Sequence, residues 1–154
     1  MSATGLDVFD RTLQITHVWL DDIMAELGPD RQRAYHALRA VLHALRDRLP
    51  LNLAAHLGAQ LPLLVRGIYY DSWHPQPETS RERKQEEFLE HVRTGLQGTR
   101  PIDVMQATRA VFATIDRHVT EGQVEKVRQA LPKDIQARWP EVAGPHPQEP
   151  AASG

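Results

Sequence analysis

Two segments of the chain resemble each other at a constant spacing along the sequence. Residues 39–69 align with residues 109–139 without a gap, and Leu61-Pro62 then matches Leu131-Pro132. Positions of core type match apolar for apolar, whereas positions of surface type diverge freely. Selection for a packed helical unit leaves this pattern. The sequence therefore predicts two copies of one helical unit.

Apolar residues recur every three or four positions, as they do on one face of an amphipathic helix. Gly28-Pro29 interrupts the first series, and Asp30 is placed to cap the helix that follows. No segment alternates in the manner of a β-strand. We expect the first series to line one face of a long amphipathic helix; it consists of Leu6, Phe9, Leu13, Thr16, Leu20, Ile23 and Leu27.

Prolines divide the rest of each unit into short helices. Pro50 and Pro62 each precede an apolar series, and Pro132 precedes a last short turn. Proline is tolerated in the first turn of a helix because the N–H that it lacks has no helical partner there. The segment Thr120 to Gln123 has the form of a capping box, which predicts another helix start.

These patterns predict an all-α fold, a single compact helical bundle of two repeated units packed about a pseudo-twofold axis. Each unit has three to four helices. One unit alone is too small to bury a sufficient core, so we expect the two units to pack face to face around a shared core. Unit one spans about residues 6–73, a linker about 71–83, and unit two about 84–140, together forming one domain over 1–140. The Pro- and Gly-rich tail 141–154 is expected to be disordered.

Composition argues against several classes of function. The 18 basic and 20 acidic residues nearly balance, which disfavours nucleic acid and membrane partners. The absence of cysteine excludes thiolate chemistry and zinc sites of the cysteine type. The chain shows neither a secretory signal nor a long apolar segment, so we expect a cytoplasmic protein.

Several long phrases carry a family resemblance. They are THVWLDDIMAELG, RQRAYHALRAVLHALRDRLP, AAHLGAQLPLLVRGIYYDSW, EEFLEHV and LPKDIQARWP. In order and spacing the chain resembles, over about residues 6–140, the bacterial family called domain of unknown function 2267. The resemblance implies a helical fold, an association with general stress proteins, and no established activity or cofactor. It also implies a glycine where this chain has Ser72, and an acidic residue where it has Gln123.

The stretch RGIYYDSW, residues 66–73, is the most site-like part of the sequence. Tyrosine, tryptophan and arginine are enriched where proteins bind partners. An alternative is structural: Tyr69 and Trp73 close the first unit over the core, and Arg66 pairs with an acidic neighbour. The candidate contact residues for a partner or ligand are His56, Arg66, Tyr69, Tyr70, Asp71 and Trp73.

Histidines suggest a second kind of site. His43 and Asp47, four residues apart, lie on one helical stripe and have the spacing of a cation-binding pair, as do His17 and Asp21. The simpler interpretation of the His43 stripe, which also carries His36 and Ala40, is a solvated face, because no complete ligand set is present. His56 is expected to hydrogen-bond within the fold, with Gln60 as its partner.

We therefore expect a cytoplasmic, non-enzymatic helical module without a cofactor or resident metal, which binds an unidentified protein or small molecule. One alternative is an enzyme or metal-dependent protein with a cleft between the two units, using His43, His56, Arg66 and Asp71. Another is a structural homo-oligomer.

Overall fold

The computed structural model describes residues 3–75 and 85–140. Within them the chain forms eight α-helices and no strand, which confirms the all-α prediction. The helices are α1 Asp7–Leu27, α2 Arg31–Arg48, α3 Leu51–Gln60, α4 Leu63–Tyr70, α5 Gln85–Gly95, α6 Val104–His118, α7 Glu121–Gln129 and α8 Lys133–Gln136. The predicted linker is described only up to residue 75, and the predicted tail 141–154 lies outside the described residues.

The junction between α1 and α2 follows the local sequence signals. Gly28 takes φ 104°, a conformation that favours glycine, and its N–H donates to the Met24 carbonyl. The Asp30 carboxylate accepts hydrogen bonds from the backbone N–H groups of Gln32 and Arg33. Asp30 is therefore the N-cap of α2, as the sequence predicted.

Three of the later helices begin directly after a proline. Pro50, Pro62 and Pro132 have φ of -53°, -58° and -54° and precede α3, α4 and α8. These values suit a helix start. The helix start predicted at Thr120 is confirmed, because α7 begins at Glu121, but the capping box itself does not form, because the Thr120 side chain accepts no capping hydrogen bond. Instead the backbone N–H of Thr120 donates to Oε1 of Gln60, at 3.0 Å.

Helix α2 occupies the centre of the fold and packs against α1, α3, α4, α5 and α6. It approaches α5 so closely that a Cβ on Gly95 would lie 2.8 Å from the Ala40 Cβ. The expectation that Ala40 and His43 lie on a solvated face is wrong, since their exposed fractions are 2% and 8%. A helix surrounded by neighbours is buried on nearly all sides, whatever the polarity of one stripe.

The hydrophobic core is one cluster to which all eight helices contribute. Its largest fully buried members include Trp19 of α1, Leu38 of α2, Tyr69 of α4, Phe88 of α5 and Phe112 of α6. Phe112 also stacks on Trp139 at the end of the described chain, with ring centroids 4.2 Å apart. The same core therefore holds the end of the described chain in place.

Candidate binding surface

Arg66 is bound to the end of a neighbouring helix. Its Nε donates to the Gly58 carbonyl at 2.9 Å, and its Nη2 donates to the carbonyls of Ala59 and Leu61 at 3.1 and 3.0 Å. The last carbonyls of a helix have no partner within it, so a cation there satisfies both hydrogen bonding and the helix dipole. The expected acidic neighbour is thus replaced by the C-terminus of α3.

The two tyrosines of the stretch differ in exposure. Tyr69 is fully buried and its hydroxyl donates to the Ala54 carbonyl at 2.7 Å. Burial raises the pKa of Tyr69 above its ordinary value. Tyr70 is half-buried, with its ring 5.0 Å from the Tyr69 ring and 5.5 Å from the Trp73 ring. Tyr70 covers Gly58 so closely that a Cβ on Gly58 would overlap the Tyr70 hydroxyl.

The chain after α4 makes a turn with a strained residue. Ser72 has φ 62°, in the left-handed region that glycine adopts without cost. This accounts physically for the glycine that the family resemblance implies at this position. The chain then folds back at the half-buried Trp73, whose backbone N–H donates to the Tyr70 carbonyl at 3.1 Å. Asp71 is exposed and accepts a hydrogen bond from Arg39 at 3.1 Å.

A polar network inside the fold holds the end of α4. The buried Arg46 of α2 donates through Nη1 to the carbonyls of Tyr69 and Asp71, at 2.9 and 2.6 Å. Its Nε donates to Oδ1 of Asp47 at 3.1 Å, and the other carboxylate oxygen of Asp47 lies 3.1 Å from His91 Nε2. Arg46 therefore satisfies backbone carbonyls at the C-terminal end of α4, as Arg66 does at the C-terminal end of α3.

Two titratable groups of this network have shifted pKa values. Burial lowers the pKa of His43, whose Nε2 donates to the Ile68 carbonyl at 2.7 Å. Burial alone would raise the pKa of Asp47, but hydrogen bonds from His91 and Arg46 outweigh it and lower the pKa. His43 Nε2 carries the proton of this bond, so that nitrogen is not offered to a metal ion.

The other proposed cation ligands do not assemble into a site either. His17 and His56 are exposed, and Gln60 binds Thr120 rather than His56, so the pairing expected for His56 is wrong. Asp21 lies 3.8 Å from Arg31. Within residues 3–75 and 85–140, no group of three or more histidine or carboxylate side chains is arranged to hold a metal ion.

One polar cluster links the two halves of the chain and carries no signal in the sequence. Asp22 of α1 lies 2.7 Å from His118 Nε2 and 3.6 Å from Arg117 Nη1, both on α6. The His118 ring stacks on Trp19, with centroids 5.1 Å apart. Because these residues are nearly a hundred positions apart, only the tertiary structure brings them together.

An exposed apolar surface extends from the first half of α1 to the start of α4. Leu6, Phe9 and Leu13 are 52%, 48% and 37% exposed, and Leu63 and Leu64 are 52% and 38% exposed. We call these five residues the α1–α4 apolar surface. The series lies on one face of a single long helix, as predicted, but the neighbouring helices cover only the second half of that face.

The contrast along α1 is sharp. Thr16, Leu20 and Ile23 continue the same face and are 7%, 7% and 0% exposed. The N–H of Leu64 donates to Oγ1 of Thr12 at 2.9 Å, so the beginning of α4 lies beside the point where α1 emerges from the core. The spacing rule identified the correct face but carries no information on how far neighbouring helices reach along it.

The helices found in the described part of the chain are all too short or too polar to cross a membrane. No protein among those with curated descriptions matches the chain. The sequence model of one protein family, described as uncharacterized conserved protein (DUF2267), matches residues 16–137. Leu6, Phe9 and Leu13 precede the matched range. Because the match covers most of the chain, the protein belongs to the DUF2267 family.

Proposed function

We propose that the protein is a non-enzymatic binding module that docks another protein on the α1–α4 apolar surface. The observation that carries this proposal is the exposure of Leu6, Phe9 and Leu13, on a face whose continuation is buried. Large apolar side chains that form a contiguous patch, unlike isolated ones, mark interaction sites. Burying them on a partner recovers the hydrophobic stabilisation that the fold leaves unused.

The contacts of RGIYYDSW support a scaffold role for most of that stretch. Arg66 is bound to three carbonyls and Tyr69 is fully buried, so a partner docking on this fold does not touch Tyr69. His56 and Asp71 are exposed and stay predicted contacts, as do the half-buried Tyr70 and Trp73.

We also propose that the bundle consists of two equivalent units about a pseudo-twofold axis. In its support, α1 packs on α6 and α5 packs on α2. These two contacts are equivalent if α1 corresponds to α5 and α2 to α6, because a twofold axis interchanges the two units. Gln136, the counterpart of Arg66 in the alignment, donates to the carbonyls of Gln129 and Leu131 at 3.3 and 2.8 Å. Arg66 bonds to the counterparts of both carbonyls, in Ala59 and Leu61.

The remaining elements of the proposal are an absence of catalysis and a cytoplasmic location. In favour of the first, the groups considered as catalytic do not converge: His56 is exposed and Asp71 is paired with Arg39. His43 and Arg66 are hydrogen-bonded to carbonyls at helix ends. In favour of the second, a chain without cysteine needs no oxidising compartment.

Photo-crosslinking tests whether the surface docks a protein. Benzoylphenylalanine replaces Phe9 in one variant and Val18, 47% exposed on the opposite side of α1, in the control. In the cells that make the protein, irradiation should produce discrete crosslinked species from position 9 and none from position 18. Absence of any adduct at position 9, or equal adducts at both positions, would contradict the proposal.

A further inference from the structure

We propose that the start of α7 is a binding site for a single internal water molecule, held between the side chains of Thr120 and Gln123. This site is independent of the α1–α4 apolar surface. Three features of the helix start support it: two buried polar atoms without a partner, a helix N-terminus without a side-chain cap, and a backbone N–H that is already bound by a distant residue.

Both side chains are buried, and each has a polar atom that is not hydrogen-bonded. Thr120 and Gln123 are 8% and 7% exposed. Within residues 3–75 and 85–140, neither Oγ1 of Thr120 nor Nε2 of Gln123 finds a hydrogen-bond partner, and bulk solvent reaches neither atom. Leaving such groups unpaired is costly, so buried polar atoms in folded proteins nearly always bind protein or ordered water.

The contact that local sequence would provide is blocked by Gln60. In a capping box, the N-cap hydroxyl and the side chain three residues later each accept a hydrogen bond from the other residue's backbone N–H. The Thr120 side chain accepts no such bond, and the Thr120 N–H donates to Oε1 of Gln60 at 3.0 Å. Because Gln60 lies in α3, tertiary packing has removed the N–H that Gln123 would otherwise bind.

The two unpaired atoms are placed to share one small ligand. An N-cap residue and the residue three positions later lie on the same side of the first helical turn, which is why they can form a capping box at all. The backbone N–H groups of that turn also lack an acceptor within the helix. A ligand at this place meets two or three hydrogen-bonding groups, which is the usual number for an internal water.

Water suits this site better than an anion does. Helix N-termini attract anions, but Glu121, in the first turn of α7, already provides a negative charge there. An ion between two neutral, buried side chains would also lose its hydration without gaining a counter-charge. A water molecule accepts a hydrogen bond from Nε2 of Gln123, and it can either donate to or accept from the Thr120 hydroxyl.

Variants that keep the shape of the side chains but remove their polar atoms test the site. Thr120→Val and Gln123→Met should each raise the equilibrium constant for unfolding about tenfold, because the water loses a partner and the other side chain is left unpaired. The double variant should unfold no more readily than either single variant, because no unpaired side chain remains. Equilibrium urea unfolding measures all three variants.

A matched control and a direct measurement complete the test. Gln129→Met makes the same change at an exposed position of α7 and should have little effect on unfolding. Nuclear Overhauser spectroscopy of the wild-type protein should show a long-lived contact between water and the side-chain amide protons of Gln123. Thr120→Val should abolish that contact.

Contrary results overturn the proposal in distinct ways. If both single variants are more stable than the wild type, the two atoms are simply unpaired and the site binds nothing. If the two effects add in the double variant, the side chains do not share a ligand. If the wild-type urea midpoint rises with chloride concentration and this rise is lost in both variants, the ligand is an anion.

Discussion

Replacing Gly58 by alanine tests the packing of the RGIYYDSW stretch against α3. The Cβ introduced would lie 2.7 Å from Cζ and 3.0 Å from Cε2 of Tyr70, besides overlapping its hydroxyl. Real side chains do not tolerate such distances, so the Tyr70 ring has to move. A displaced ring loses its contacts with Tyr69 and Trp73, which hold it at present.

The magnitude follows from two opposing effects. Each aromatic pair contributes about 0.5–1.5 kcal/mol beyond area burial, so losing two costs about 1–3 kcal/mol. Alanine in place of glycine within a helix stabilises by about 1 kcal/mol. Gly67 provides the matched control, because it lies in α4 and a Cβ there meets nothing within 4 Å. Gly67→Ala should therefore stabilise by about 1 kcal/mol, and Gly58→Ala should be about 2 kcal/mol less stable than that control.

Equilibrium urea unfolding followed by far-UV circular dichroism measures both variants. A double-mutant cycle adds the decisive comparison: in a Tyr70→Ala background, Gly58→Ala should become stabilising, because nothing remains to clash. The reasoning is refuted if Gly58→Ala and Gly67→Ala agree within about 0.5 kcal/mol, or if the Tyr70→Ala background leaves the cost of Gly58→Ala unchanged.

Three further predictions concern the same region. Ser72→Gly should raise the free energy of unfolding by about 1 kcal/mol, because glycine relieves the left-handed φ of 62°; an unchanged urea midpoint would contradict this. Arg66→Ala should lower it by about 1–3 kcal/mol through the lost carbonyl contacts of α3, and a thermal melt like that of the wild type would show that Arg66 does not stabilise the fold. His43 should make the fold acid-sensitive: burial lowers its folded pKa, so its stabilising effect is complete above the ordinary value of 6.5 and is lost as pH falls below it. The drop in urea midpoint between about pH 7.5 and about pH 5.5 should shrink in His43→Gln and persist in the exposed control His56→Gln.

Local signals predicted the order of helices and most of their ends. Gly28, Asp30 and the prolines act on their own backbone or on the next few residues, so their effect is readable without knowledge of the fold. At Thr120 the predicted helix start is correct, since α7 begins at Glu121, but the predicted contact that makes it is not. The Thr120 backbone N–H is taken by the Gln60 side chain, sixty residues away, and the capping box does not form.

The candidate site was predicted less well than the fold. RGIYYDSW has the composition of a binding surface, yet Arg66 and Tyr69 bind main-chain carbonyls of α3. Composition cannot distinguish these roles, because arginine and tyrosine satisfy buried carbonyls with the same donors that they offer to a partner. The family match identified the chain but assigned no residue a role.

The sequence by itself determined the helical fold class, the helix breaks and the family, because periodicity and turn residues act over one or two turns of chain. Only the tertiary structure decided which stretches of an apolar face are covered. Leu13 and Leu20 lie on one face of α1 and are indistinguishable by pattern, but Leu20 is 7% exposed and Leu13 is 37% exposed. Burial depends on where the neighbouring helices end, and that is a property of the assembled bundle.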